Sequence, residues 1–240
     1  MRILIVNDDS IDAPGIAMLA KAASALGEVW VVAPDCQCSA MSQKLTIREP
    51  LTLETVEGFP APVKGAYRLG GTPVDCVKVA LDYVLPEKPD YVLSGINNGY
   101  NAGFDIAYSG TLGAAFEAVR SGIPAMAFSI ASDSHLPNGE QYLLPILKEL
   151  LESELAPGEV WNVNLPAMPS GEAKGILRDR TVAPISMYRE KYIEEKRPDG
   201  TLILHCKGIP TPDERFPEGS DAKAVREGYI SIGKVRCAVM

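Results

Sequence analysis

The sequence predicts an α/β protein with a parallel-sheet core, helices on the faces of that sheet, and a C-terminal β-hairpin or arm. Three observations carry this. Arg2 to Val6 (RILIV) is a continuous apolar, β-branched run, the pattern of a strand buried on both faces of a parallel sheet. Through Leu165, short apolar runs alternate with stretches at helical spacing, which is how strands joined by crossover helices read. Beyond Pro166 that alternation gives way to short strand candidates punctuated by Pro and Gly.

The elements follow in order. After Arg2 to Val6, apolar residues at helical spacing over Ile16 to Leu26 predict a helix that Gly27 stops, and Val29 to Val32 predicts the second strand. Helical spacing returns over Pro73 to Leu85, Thr111 to Val119 and Gln141 to Leu151. Strands are expected at Tyr91 to Leu93, Ala125 to Ile130 and Trp161 to Leu165. Thr201 to His205 and Tyr229 to Ile232 read as strands without a place in the sheet. Segments that alternate with no helix between them suit a hairpin or an extended arm, and exposed arms often pair with another subunit. The expected organisation is one domain over residues 1–240, with the arm beginning near residue 167.

A chain of 240 residues, 46% hydrophobic and 22% charged, sits close to the globular average, which excludes a disordered or membrane class. Its formal net charge of -8 opposes binding to long nucleic acids, which draws on clustered Lys and Arg. Small phosphate esters remain open to an acidic protein when a cation mediates the contact. Five cysteines in no regular framework suggest free thiols in a reducing compartment. The start shows neither a signal-peptide core nor a membrane span, so a cytoplasmic location is expected.

In parallel sheets, ligands bind outside the carboxyl ends of the strands, which directs attention to the loops after Val6, Val32 and Leu93. Asn7, Asp8 and Asp9 stand at the first of these. Two adjacent carboxylates repel unless a hard divalent cation or a shared proton compensates them, the metal being the simpler solution; the alternative is that one of them merely caps the following helix or supports a turn. Residues 33–46 (APDCQCSAMSQKLT) form the second loop, where Ser39 and Ser42 offer oxygen to a metal or phosphate or serve only as turn residues. Ser94 to Asn101 (SGINNGYN) supplies asparagine carbonyls suited to Mg or Mn and glycines that admit a close ligand. In YSGTLGAA (Tyr108 to Ala115), Ser109 or Thr111 can cap the following helix, whose N-terminus favours an anion such as phosphate. Together these place carboxylates, a hydroxyl, an asparagine and a helix N-terminus at one cleft.

In this combination the chain resembles the stationary-phase survival protein SurE family of metal-dependent nucleotidases. The motifs are NDDS (Asn7 to Ser10), VVAP (Val31 to Pro34) with Ser39, GTPVDCV (Gly71 to Val77), SGINNGYN and YSGTLGAA, followed by VWNVNLP (Val160 to Pro166) and DAKAVREGYISI (Asp221 to Ile232). Carried over by position, the metal ligands would be Asp8, Asp9, Ser39 and Asn97, with Asn101, Ser109, Gly110 and Thr111 near the phosphate; as catalytic residues, Asp8 or Asp9 could double as the proton acceptor. The resemblance further implies a Rossmann-like three-layer core and one divalent ion per subunit, Mg or Mn. It implies phosphate release from nucleoside monophosphates and a homodimer or homotetramer built through exchanged C-terminal segments, and it allows activity on short polyphosphate. Ser10 departs from the family's usual glycine after the paired aspartates. Cys36 and Cys38 lack the CxxC spacing and the further ligands of a soft-metal site. Of the two histidines, neither His135 nor His205 falls in a motif, so no histidine nucleophile or base is expected.

The expected chemistry is attack on phosphorus by a water that a metal at Asp8, Asp9, Ser39 and Asn97 activates, with donors at residues 109–111 stabilising the developing charge. Two alternatives remain at this point. One is an exopolyphosphatase acting on short chains; the other is a non-catalytic nucleotide-binding module, although no GxGxxG follows the first strand.

Overall fold

The computed structural model describes residues 1–132 and 136–237. The chain opens with β1 (Arg2–Val6), α1 (Pro14–Ser24) and β2 (Glu28–Pro34), then β3 (Leu53–Thr55) and β4 (Gly65–Leu69). Next come α2 (Pro73–Val79), running into a wider π turn at Ala80–Val84, and β5 (Tyr91–Asn98). A short 3-10 turn at Phe104–Tyr108 leads into α3 (Gly110–Arg120), β6 (Ala125–Ile130), α4 (Pro137–Leu151) and β7 (Glu159–Leu165). The remainder holds β8 (Ile176–Leu177), β9 (Tyr188–Lys196), β10 (Leu202–Pro210), α5 (Asp221–Arg226) and β11 (Ile230–Arg236).

Among the described residues, nine strands form one sheet in the order β3-β4-β2-β1-β5-β6-β7-β11-β8. The central run β4-β2-β1-β5-β6-β7 is parallel throughout. β1 lies at its middle, with β2 paired on one side and β5 on the other. Successive crossovers therefore run outward in opposite directions from β1, and a crevice opens at the carboxyl ends where they part. The helices pack in two layers: α1 against α4, α2 against α3. One face buries Ile3, Ile5, Leu93, Phe128 and Val163 with α1 and α4; the other buries Leu4, Val6, Val92, Ala127 and Val160 with α2 and α3. Alternate residues of β1 thus feed opposite layers, the reason Ile3 to Val6 carry no polar side chain.

Most boundaries shift by a residue or two from those expected. The larger differences are β10, which continues to Pro210 instead of ending at His205, and β5, which continues as strand to Asn98 instead of ending at Leu93. Its ladder to β6 slips between Ser94 and Asn97, at Gly95, whose φ of 132° and close approach to the Phe128 carbonyl exclude a side chain. β11 returns to the main sheet antiparallel to β7. β9 and β10 form a separate two-stranded antiparallel sheet, in register from Tyr188↔Pro210 to Lys196↔Leu202. All five cysteines are free thiols. Among the described residues, no helix is long and apolar enough to cross a membrane.

Candidate active site

The tip of β1 places Asn7 and Asp8 inside the protein, at 0% and 5% exposure, with Asp9 half-buried beside them. Asn7 donates from Nδ2 to the carbonyl of Ser10 at 2.7 Å and closes the turn behind the aspartates. Ser10 takes φ 94° there, a conformation that favours glycine, which explains why a glycine would suit this position.

Asp8 points at the start of α3. Thr111 donates its hydroxyl to Asp8 Oδ1 at 2.7 Å and its main-chain N–H to Oδ2 at 3.2 Å. Ser109 is the N-cap of α3 and accepts from the N–H of Leu112 at 3.0 Å. Gly110 lies flat against Asp8: a Cβ there would stand 2.9 Å from Asp8 Cβ and Oδ2. The anion seated at this helix N-terminus is thus the Asp8 carboxylate, and Thr111 spends both donors in orienting it. Asp9 accepts from the main-chain N–H of Asn98 at 2.8 Å and from Gln37 Nε2 at 3.4 Å.

Burial pushes the Asp8 carboxyl up to about 6; the Thr111 hydroxyl opposes this and the Asp9 charge adds to it. Asp9 is also raised, by burial, against the pull of Asn98 and Gln37. Two adjacent carboxylates destabilised by desolvation are what a hard divalent cation relieves. Among the described residues, no three His, Cys, Asp or Glu side chains gather as a metal centre, so neutral oxygens must complete any donor set. Asn97 meets that need: its Nδ2 donates to the carbonyl of Gly99 at 2.8 Å, leaving Oδ1 for a cation. Ser39 is exposed and follows Cys38, whose N–H donates to the main-chain carbonyl of Asp8 at 2.7 Å.

The loop that carries Ser39 is anchored at several points. Ser42 N–H donates to the Tyr108 carbonyl at 3.0 Å, and Thr46 donates N–H and hydroxyl to Asp75 at 3.0 and 2.7 Å. Asp75 and Thr72 form the capping box of α2, and Thr72 donates its hydroxyl to the Lys44 carbonyl at 2.6 Å. The GTPVDCV motif therefore caps a helix and pins this loop at once.

Asn101 faces inward. It is 6% exposed, and its Nδ2 donates to Ser129 Oγ at 2.8 Å. Sequence reasoning did not single out Asn98, Gln37, Asn162, Asn164 or Asp221. The signal for the asparagines was their alternation in WNVNL, two polar residues on one face of a strand buried on both sides. His205 pairs with Glu195 at 2.9 Å on the hairpin, and His135 lies outside the described residues.

Beside Asp9 opens a cleft of about 390 Å³. Pro14, Ile96, Ile130 and Leu136 give it apolar walls, and Gln37, Asn98 and Ser132 bring polar groups. A larger cavity of about 630 Å³ lies between Leu51, Leu53 and Tyr83, reaching Ser121 at the far end of α3 from Thr111, and includes neither aspartate.

These features define the class: a three-layer α/β protein with a carboxylate pair, neutral oxygen donors and a helix N-terminus at the carboxyl ends of its strands. The family model described as "Survival protein SurE" matches residues 3–188, and the chain belongs to that family. It is 40% identical over 240 residues to 5'-nucleotidase SurE 1 of Thermus thermophilus, covering 98% of this chain and 91% of that one. To 5'-nucleotidase SurE of a Synechococcus species it is 40% identical over 237 residues, covering 97% and 90%. The crystal structure of the SurE protein from Aquifex aeolicus superposes with a TM-score of 0.81 at 34% identity, covering 98% of this chain and 93% of that chain.

Proposed function

We propose that this protein is a metal-dependent phosphomonoesterase that hydrolyses nucleoside monophosphates to nucleoside and phosphate, a 5'-nucleotidase. The observation that carries the reading is the Asp8–Asp9 pair at the tip of β1, with Asp8 buried and held by the first turn of α3 and Asp9 half-buried beside it. The names of the relatives, 5'-nucleotidase, support it.

Asp8, Asp9, Ser39 and Asn97 would hold one Mg or Mn ion per subunit. When bound, that ion supplies charge neutralisation at the phosphate and an activated water nucleophile. Asp8, gripped by Thr111, keeps a fixed aim. Asp9, at the mouth of the cleft and held by Asn98, is placed to accept the proton of the attacking water. On the phosphate side of the site stand Asn101, Ser109, Gly110 and Thr111, with Thr111 and Gly110 acting through the Asp8 carboxylate they hold and Asn101 turned inward onto Ser129. The 390 Å³ cleft beside Asp9 takes the nucleoside, its volume falling within the range of small-molecule pockets.

The protein acts as a cytoplasmic homodimer or homotetramer assembled through the β9–β10 hairpin. A two-stranded hairpin alone in water is marginal, and this one exposes Tyr188, Tyr192, Leu202 and Leu204. In the pairing register these four lie on one face.

The test is phosphate release from nucleoside 5'- and 3'-monophosphates and tripolyphosphate, after chelation and again with Mg or Mn restored. Metal-restored release from the monophosphates is expected, with Asp8→Asn and Asp9→Asn folded and nearly inactive. Full activity in both variants would sink the assignment, and faster turnover of tripolyphosphate would move the substrate to polyphosphate.

A further inference from the structure

We propose that Asn162, Asn164 and Ser129 are positioning residues for phosphate-ester hydrolysis, acting through the loop that joins the two aspartates; this rests on the nucleotidase reading above. The loop of residues 98–111 begins on one aspartate and ends on the other. Asn98 N–H donates to Asp9 Oδ2 at 2.8 Å, and the Thr111 hydroxyl donates to Asp8 Oδ1 at 2.7 Å. Whatever fixes the middle of this loop therefore fixes the aim of both carboxylates.

The middle is gripped from the sheet below. Asn101 N–H donates to Asn164 Oδ1 at 2.9 Å. Its carbonyl accepts from Asn162 Nδ2 at 2.8 Å and Asn164 Nδ2 at 3.0 Å. Its side chain donates to Ser129 Oγ at 2.8 Å, and Ser129 is the cross-strand neighbour of Asn164. Two residues on, Gly103 N–H donates to Asp221 Oδ2 at 3.1 Å; that buried carboxylate also accepts from Ala183 N–H at 2.9 Å. The two late motifs, VWNVNLP and DAKAVREGYISI, thus converge on one loop.

Asn162, Asn164 and Ser129 are 3%, 0% and 0% exposed. Polar side chains buried this deeply cost stability unless paired, and apolar residues would fill the same space more favourably. Here the asparagine amides bond to a loop's main chain and do not join the sheet's own ladder. Such bonds fix the loop's height and register and are indifferent to its side chains. Groups one step removed from the reacting centre typically change activity by about 10- to 100-fold when replaced, because a displacement of about 1 Å is enough to misalign it.

The experiment measures kcat, KM, the metal-activation curve and the melting curve of Ser129→Ala, Asn164→Leu and Asn164→Asp, using the wild-type protein's best nucleoside monophosphate at saturating metal. In folded Asn164→Leu, kcat should fall on the order of 10- to 100-fold with KM little changed. Ser129→Ala, which removes one hydroxyl and leaves the fold intact, should lose kcat in the same direction by less. In Asn164→Asp, a neutral carboxyl can both accept from Asn101 N–H and donate to its carbonyl, so kcat relative to the wild type at the same pH should be highest at low pH and fall as the group ionises. A purely structural role would not create that pH profile. Wild-type kcat in folded Ser129→Ala and Asn164→Leu would overturn the assignment, as would a loss of rate that only tracks the folded fraction. A wild-type protein that releases no phosphate from any nucleoside monophosphate would instead overturn the nucleotidase reading, and this assignment with it.

Discussion

Replacing Ser10 by glycine should stabilise the protein while leaving its chemistry in place. Ser10 sits two residues after Asp8 with φ 94°. A non-glycine residue held in such a region costs on the order of 1–3 kcal/mol, because Cβ crowds the neighbouring carbonyl. Glycine removes that strain but gives the unfolded chain more freedom, a loss of about 0.5–1 kcal/mol. The bonds that define the turn, Asn7 Nδ2 to the Ser10 carbonyl at 2.7 Å and Ala13 N–H to the same carbonyl at 3.2 Å, use only main-chain atoms of residue 10 and survive. The net gain is about 1 kcal/mol, which in a chain of this size raises Tm by about 2–4 °C. Thermal melts and urea titrations of Ser10→Gly and Ser10→Ala separate backbone strain from any contribution of the hydroxyl. Alanine keeps the strain and should gain nothing. A lower midpoint for Ser10→Gly, or equal gains in both variants, would refute the strain argument.

Gly110→Ala should leave the protein folded, since alanine favours the helix, yet lower kcat on the order of 100-fold because the new methyl displaces Asp8. Steady-state kinetics beside a melting curve checks both halves. Charge placed on the hairpin face that carries Tyr188, Tyr192, Leu202 and Leu204, as Tyr192→Asp with Leu204→Asp, should shift the mass seen by light scattering to a smaller species. An unchanged mass would show that the hairpin does not hold the assembly together.

The core was legible because it obeys simple periodicities. β1 announces itself by the unbroken apolar run Ile3 to Val6, and the buried strand at Ala125–Ile130 by a run that only Ser129 interrupts. β4 escaped notice because it begins with glycine and carries Tyr67 and Arg68, a short half-buried strand recognisable only by its pairing to β2. β5 was read as ending in a loop because SGINN has loop composition; burial between β1 and β6 overrides that preference. The same limit applies at the site. Asp8 and Asp9 stand out by adjacency, and Ser109 by its place before a helix. That Thr111 bonds Asp8 across 103 positions, or that Asn164 holds Asn101 across 63, depends on tertiary geometry that no local pattern encodes.

The crevice at the reversal of crossover direction beside β1 exists because of the winding of the chain, with no side chain needed to hollow it out. On the proposed function its two jobs are separable: the residues at the tip of β1 would keep the reaction, while the segments forming the cleft walls, around Pro14, Gln37 and Leu136, could drift. Relatives with the same sheet can change which molecules they accept without re-evolving how they cut them, and divergence in this family should gather in those walls long before it reaches the aspartates.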